Sequence, residues 1–247
     1  MKINIISLVV SLVLFLGFTA TSAYAGTFSD DFNDGNANGW DLSQTEGPVL
    51  NIGNWRVIDG KLVQDTGYDG VLALLPNQYS DQTDETLLKV YGPSGATGFV
   101  IWYKDKTNSV SILVANGVIG VAEVYNNVWT NYSFSVAFNI NDDRWANLKV
   151  EADSLSGEIK VYLDGIYLFT YNATTPNRVG QSGFKQGNAG GAHDYISIIT
   201  PDPNPTTNKE TCKNGGWKTF NAPTFKNQGD CVSYVQSNPN AIGNKTK

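Results

Sequence analysis

The chain has 247 residues, with 23 acidic side chains against 17 basic ones, one histidine and two cysteines. An acidic balance without a basic cluster argues against nucleic acid or anionic lipid as a partner. Abundant Gly, Tyr, Trp and Asn suit an extracellular β protein with many tight turns.

Residues 1–25 read as an export signal. Lys2 precedes the apolar run Ile3 to Phe18, and Ala23-Tyr24-Ala25 is a small-x-small cleavage site. The run is slightly short for a membrane span, and no cysteine near the cleavage site offers a lipid anchor, so a secreted chain that spans no membrane is expected. Removing the first 25 residues leaves 222, with 16 basic side chains against 23 acidic and a formal charge of −7. That length allows one large β domain and a small extra unit.

From Phe28 to Ile199 short alternating segments are separated by turn residues. Trp55 to Val63 is a hairpin around Asp59-Gly60. Glu85 to Tyr91 sets Leu88 and Val90 against Leu87, Lys89 and Tyr91. In Gly98 to Lys104 strict alternation opposes Phe99, Ile101 and Tyr103 to Val100, Trp102 and Lys104. Val110 to Val114, Asn147 to Ala152, Glu158 to Asp164 and Tyr195 to Ile199 follow, with Leu148, Val150, Ile159, Val161 and Leu163 inward. No helical period is sustained in this region, so an all-β antiparallel sandwich is predicted over 26–200. Three prolines in Pro201 to Pro205 mark a linker over 201–210. Cys212 and Cys231 then close a small module over 211–236, and 237–247 is a flexible tail. Such a loop is stabilised by roughly 3 kcal/mol when crosslinked. Trp217, Phe220, Phe225, Val232 and Val235 are its candidate core, with a short helix over Asp230 to Gln236.

The order of motifs resembles the concanavalin A-like (laminin-G-like) jelly-roll superfamily over residues 28 to 199. Those motifs are Asp30-Asp31-Phe32 with Gly39-Trp40, Trp55-x-Val57-x-Asp59-Gly60-Lys61-Leu62, Gly98 to Asp105, Trp145-x-x-Leu148-Lys149-Val150, Val161 to Gly165, Gly183-Phe184 and His193 to Ile196. The resemblance implies a jelly-roll β-sandwich of two curved sheets, a face that often binds glycans, and sometimes a structural calcium. It includes secreted bacterial sugar-binding and glycosidase-like members. The stretch from Cys212 to Tyr234 is similar to a short C-terminal module of secreted bacterial proteins.

Glycoside cleavage needs two carboxylates about 5–10 Å apart. Glucanases of the resembled fold carry Glu-x-Asp-x-(x)-Glu on one strand. Here Glu151-Ala-Asp153 supplies the first half, Ser154 to Gly157 reads as a turn, and Glu158 falls beyond it, so no catalytic residue is assigned. His193 reads as a packing residue, since no nucleophile triad is defensible around it. Asp31 and Asp194 meet where the first and last strands are neighbours in the resembled fold. One structural Ca²⁺ held by both is a candidate cofactor, against the plainer reading of both as turn caps. For sugar, aromatic faces with polar rims are the usual contact. Tyr91, Trp102 and Tyr162, interleaved with Lys104 and other charges, are the candidate ligand residues, the alternative being that Trp102 faces the interior. Three glycosylation sequons, at Asn131, Asn172 and Asn244, carry no weight in a chain of bacterial character. Three readings of function stand: a binder of carbohydrate or a cell-surface polymer, a divergent glycosidase or keto-disaccharide hydrolase or lyase, and an adhesive surface protein.

Overall fold

The computed structural model describes residues 26–47, 53–66, 68–139, 143–188, 190–200, 209–213, 215–218 and 225–237. The expected export signal, most of the linker, the tail, Phe220 and the side chain of Val235 lie outside them.

In chain order the strands are β1 (Thr27–Asp30), β2 (Arg56–Ile58), β3 (Lys61–Gln64), β4 (Val71–Tyr79), β5 (Gln82–Val90), β6 (Ala96–Asp105), β7 (Asn108–Ala115) and β8 (Val118–Tyr125). There follow β9 (Val128–Ser135), β10 (Ala146–Ala152), β11 (Glu158–Leu163), β12 (Ile166–Asn172), β13 (Gly180–Gly187), β14 (Gly191–His193) and β15 (Ile196–Ile199). They form two antiparallel sheets, a jelly-roll sandwich. The nine-stranded sheet runs β12-β11-β10-β5-β14-β3-β2, with β15 also paired to β5 and β1 to β15. The six-stranded sheet runs β4-β13-β6-β7-β8-β9. The hairpins turn on residues with positive φ, as at Asp59-Gly60 and Asn126-Asn127, which fits the primed turns that match strand twist.

The core follows from period-2 alternation. Leu88, Leu148, Val150, Ile159 and Val161 project from one sheet, and Val71, Phe99, Ile112 and Val121 from the other; all are buried. Each such side chain stabilises the fold by about 1.5–3 kcal/mol relative to an exposed one. Trp40 stacks on Phe184 at 5.4 Å, and His193 stacks on the same ring at 3.6 Å. His193 lies fully buried between the sheets, its Nε2 2.7 Å from Thr97 Oγ1 and its Nδ1 3.3 Å from Thr86 Oγ1. Its place is in the core packing.

The alternation predicted for β6 breaks at Trp102. The β6–β7 register shifts between Ile101 and Asp105, and Trp102 takes φ +51°. An extra residue in one strand reverses the facing of the residues after it. Trp102 therefore turns into the core, fully buried, and its indole N–H donates to Ser80 O at 2.7 Å. Its assignment as an outward sugar-stacking residue is corrected: it packs the interior. The glycine at Gly180 is required by the same kink, because a Cβ there would lie 2.4 Å from the Trp102 carbonyl carbon.

In the C-terminal module Cys212 and Cys231 are disulfide-bonded. A helix, α1 (Gln228–Ser237), starts at Asn227, whose Oδ1 accepts from Asp230 N at 2.9 Å. Phe225 is buried against the disulfide, with Trp217, Val232 and Tyr234 beside it. No helix among the described residues is long and apolar enough to cross a membrane.

Candidate functional site

Burying one side of β5, β10 and β11 forces the other side outward. Successive strand residues point to opposite faces, so Glu85, Asn147, Lys149, Glu151, Glu158, Lys160 and Tyr162 share the outer face of the nine-stranded sheet. The register sets them in a row across the strands. Tyr167 faces Tyr162, Tyr162 faces Lys149, Lys149 faces Glu85, Glu85 faces Ser197 and Ser197 faces Ser29. With about 4.8 Å between strands, six aligned residues span roughly 24 Å.

The row is chemically organised. Tyr162 and Tyr167 meet edge to face at 5.6 Å. Lys149 Nζ lies 4.8 Å above the Tyr162 ring and 2.6 Å from Glu151 Oε1, while the Tyr162 hydroxyl donates to Glu151 Oε2 at 3.0 Å. The hydrogen bond to Glu151 holds the Lys149 ammonium above its ordinary range, and the same bond holds Glu151 below its own. Further along, Asn147 Nδ2 and the Tyr195 hydroxyl donate to Glu85 Oε1 at 2.8 and 3.1 Å. Burial, reinforced by Glu85, pushes the Tyr195 phenol up to about 12. The result is two tyrosine rings, one of them Tyr167 at 53% exposure, flanked by ionised and amide groups whose positions are already fixed.

Two clefts open beside this face. One, of about 260 Å³, lies at the strand ends between Asp81, Glu151 and Glu158. The other, of about 460 Å³, lies over β1 and β15, between Asp31, Asp34 and Tyr195. In the first, Glu158 is 3.0 Å from Lys160, and Asp81 accepts from the Ser154 N–H and hydroxyl. Asp153 caps the turn, accepting from Leu155 N and Ser156 N at 2.9 and 2.8 Å. The turn expected between the halves of the glucanase-like motif is present, and Glu158 begins the next strand.

The predicted ligand residues divide among several places. Tyr162 stands in the row. Tyr91 is half-buried just past β5, where its N–H donates to Gly190 O. Lys104 is exposed on the six-stranded sheet, beside a separate cleft with Gln44 and Tyr103. Trp102 is interior. Asp31 and Asp194 lie at adjoining strand ends, yet each has its own partner: Asp31 Oδ1 accepts from Asn33 N at 3.1 Å, and Asp194 Oδ1 is 3.2 Å from Lys61 Nζ. Among the described residues no three His, Cys, Asp or Glu side chains converge as a metal site.

Sequence reasoning missed Tyr167, Glu85, Asn147 and Tyr195. Tyr167 had a readable signal: the Asp164-Gly165 turn pairs Leu163 with Ile166 and so Tyr162 with Tyr167. It also missed a charge cluster on the other sheet. There the Glu46 carboxylate accepts from Ser109, from Ser111 at 2.9 Å and from Lys185, and Trp129 lies over Lys185 at 5.5 Å.

No family model matches the chain, and no curated protein matches it. Solved structures do. A carbohydrate binding module, CBM66 from Bacillus subtilis, superposes with a TM-score of 0.51 at 20% identity, over 66% of this chain and 92% of that one. A Bacillus licheniformis β-glucanase gives 0.56 at 13% identity, over 71% and 99%. A β-1,3-1,4-glucanase (lichenase) from a mouse hindgut metagenome gives 0.56 at 12%, over 70% and 99%. At these identities the likeness is one of fold: this chain shares with these proteins the two-sheet antiparallel jelly-roll sandwich.

Proposed function

We propose that this chain is an exported carbohydrate-binding sandwich, without catalysis of its own, that holds a glycan or surface polymer along the outer face of its nine-stranded sheet. The observation that carries this reading is the aligned row from Tyr167 to Ser29. Sugar rings present C–H faces that lie well on aromatic rings, and hydroxyls that need donors and acceptors at the rim. Tyr167 and Tyr162 supply the first, and Lys149, Glu151, Glu85 and Asn147 the second. Because those groups already bond one another, little side-chain freedom is left to lose on binding. The fold's likeness to a carbohydrate binding module and to glucanases supports the ligand class, and the disulfide is consistent with an oxidising, extracellular setting.

A second reading, a divergent glycosidase, draws on the cleft between Glu151 and Glu158. Against it, glycoside cleavage requires a carboxylic acid whose pKa is raised. Glu151 is instead held ionised by Lys149, and Glu158 is paired with Lys160. A polysaccharide pull-down with a reducing-sugar assay tests both. Retention without product, lost by at least about tenfold in Tyr162→Ala/Tyr167→Ala, supports the binder. Product release supports the enzyme. Retention unchanged in the double variant removes this face from the proposal.

A further inference from the structure

We propose that the chain self-associates into a two-fold dimer through β9, an edge of its six-stranded sheet that is unpaired on its outer side among the described residues. Edge strands invite pairing, and folded proteins blunt them by shortness, bulges, proline, charge or cover. Most edges here are blunted. β1 and β2 have four and three residues, and β4 is covered by bridges from Asp41 to Leu74 and from Thr45 to Val71. β9 is eight residues long and pairs only with β8 among the described residues. It contains no proline and no charge, and its pairing to β8 has no register shift.

The neighbourhood extends this pattern. From Val124 to Asn139 sixteen consecutive residues include no Asp, Glu, Lys, Arg or His, and from Gly165 to Asn177 thirteen more include none. These two stretches form one side of the sandwich, because β9 packs on β12 through Tyr132–Phe169 and Phe134–Phe169, both at 5.1 Å. Val128, Trp129 and Tyr132 are exposed along the strand, Val128 at 67%.

The occupant follows from charge and from backbone geometry. Residues 26–200 carry twenty acidic side chains against ten basic. A second copy is repelled on most approaches but not on this uncharged wall. A strand edge is self-complementary in the antiparallel sense, so β9 of one copy meets β9 of the other about a two-fold axis and joins the sheets into one. A charged partner finds no counter-charge here, and a glycan has no repeating N–H and C=O row to match.

The test is sedimentation equilibrium of the purified chain over a wide concentration range, with amide hydrogen exchange read alongside. A dimer is expected, with the amides of 128–135 gaining protection as concentration rises. Asn131→Lys/Ser133→Lys, which sets charges on the edge, should weaken association by at least about tenfold, with the melting temperature held at dilutions where both chains are monomeric. A chain monomeric at all concentrations overturns the proposal. So does a dimer that leaves the β9 amides unprotected, or one that persists in the charged variant. Protection of 128–135 by added polysaccharide in a monomeric chain likewise overturns it and moves that wall to the glycan.

Discussion

The ammonium of Lys185 and the carboxylate of Glu46 form an ion pair that is almost wholly shut off from solvent, although both lie on the outward face of the six-stranded sheet. Their side chains are 4% and 0% exposed. Glu46 reaches this place because the segment before it runs along the edge of β4, with Glu46 N donating to Gly70 O and Gly47 N to Lys106 O. Ser109 and Ser111 satisfy the remaining carboxylate valence, and the Trp129 ring roofs the lysine.

Breaking such a pair from one side leaves a buried charge without its partner. Lys185→Met and Glu46→Gln should each destabilise the fold by about 3–5 kcal/mol, and the double variant by less than the sum. Urea midpoints of the three variants measure this. Additive losses would mean that the two charges are not coupled.

A second buried group acts through pH. Asp84 projects inward from β5, fully buried. Gln82 Nε2 donates to its Oδ2 at 2.9 Å, and its Oδ1 has no partner among the described residues. Burial raises its pKa well above 3.8, and burial lowers that of His193 from 6.5 to about 3. A raised carboxyl stabilises the fold fully below its unfolded pKa, and this is lost as pH rises through the folded value. A depressed histidine does the reverse: its contribution is present above 6.5 and is lost as pH falls toward 3. The two slopes oppose as pH rises from about 4, each at up to about 1.4 kcal/mol per pH unit, and that of His193 ends at about 6.5. Asp84→Asn should therefore stabilise the chain increasingly above pH 4, and its own stability should rise to about pH 6.5 and then level. Denaturant midpoints against pH check this. A constant offset between the two proteins would show that Asp84 does not titrate on unfolding.

The sandwich was legible because period-2 alternation and Asp-Gly turns are local signals, as at Leu148 to Val150 and Asp59-Gly60. Trp102 was not, because a bulge is set by pairing with a neighbouring strand and leaves no trace in the alternation itself. The same limit hid Glu46 and Lys185, which are 139 residues apart and meet only through the topology. Tyr162 was placed on the outer face correctly, whereas Glu85, Asn147 and Tyr195, which bond one another further along that face, come from three segments whose register was not readable.

Calcium at Asp31 and Asp194 meets a specific competitor. Lys61 already lies against Asp194, and Asp31 is engaged by its own turn. A cation joining the two carboxylates would have to displace the lysine. Calorimetry with excess Ca²⁺ and with EDTA should give one melting temperature, and Lys61→Met should be the variant in which Ca²⁺ raises it. A rise in the unaltered chain would restore the calcium site.

The small C-terminal module depends on its staple in a way the sandwich does not. Cys212 and Cys231 are both fully buried, and few apolar side chains surround them. The crosslink joins residues 19 apart, worth roughly 3 kcal/mol of unfolded-state restriction. A core of this size has little stability to spare. In Cys212→Ser/Cys231→Ser, α1 should lose its amide protection while the amides of β5, β10 and β11 keep theirs, because the sandwich contains no cysteine. Hydrogen exchange resolved by segment reads both at once. Retained protection in α1 would mean that Phe225, Trp217 and Tyr234 hold the module without the crosslink, and loss in β5 would mean that the two units fold as one.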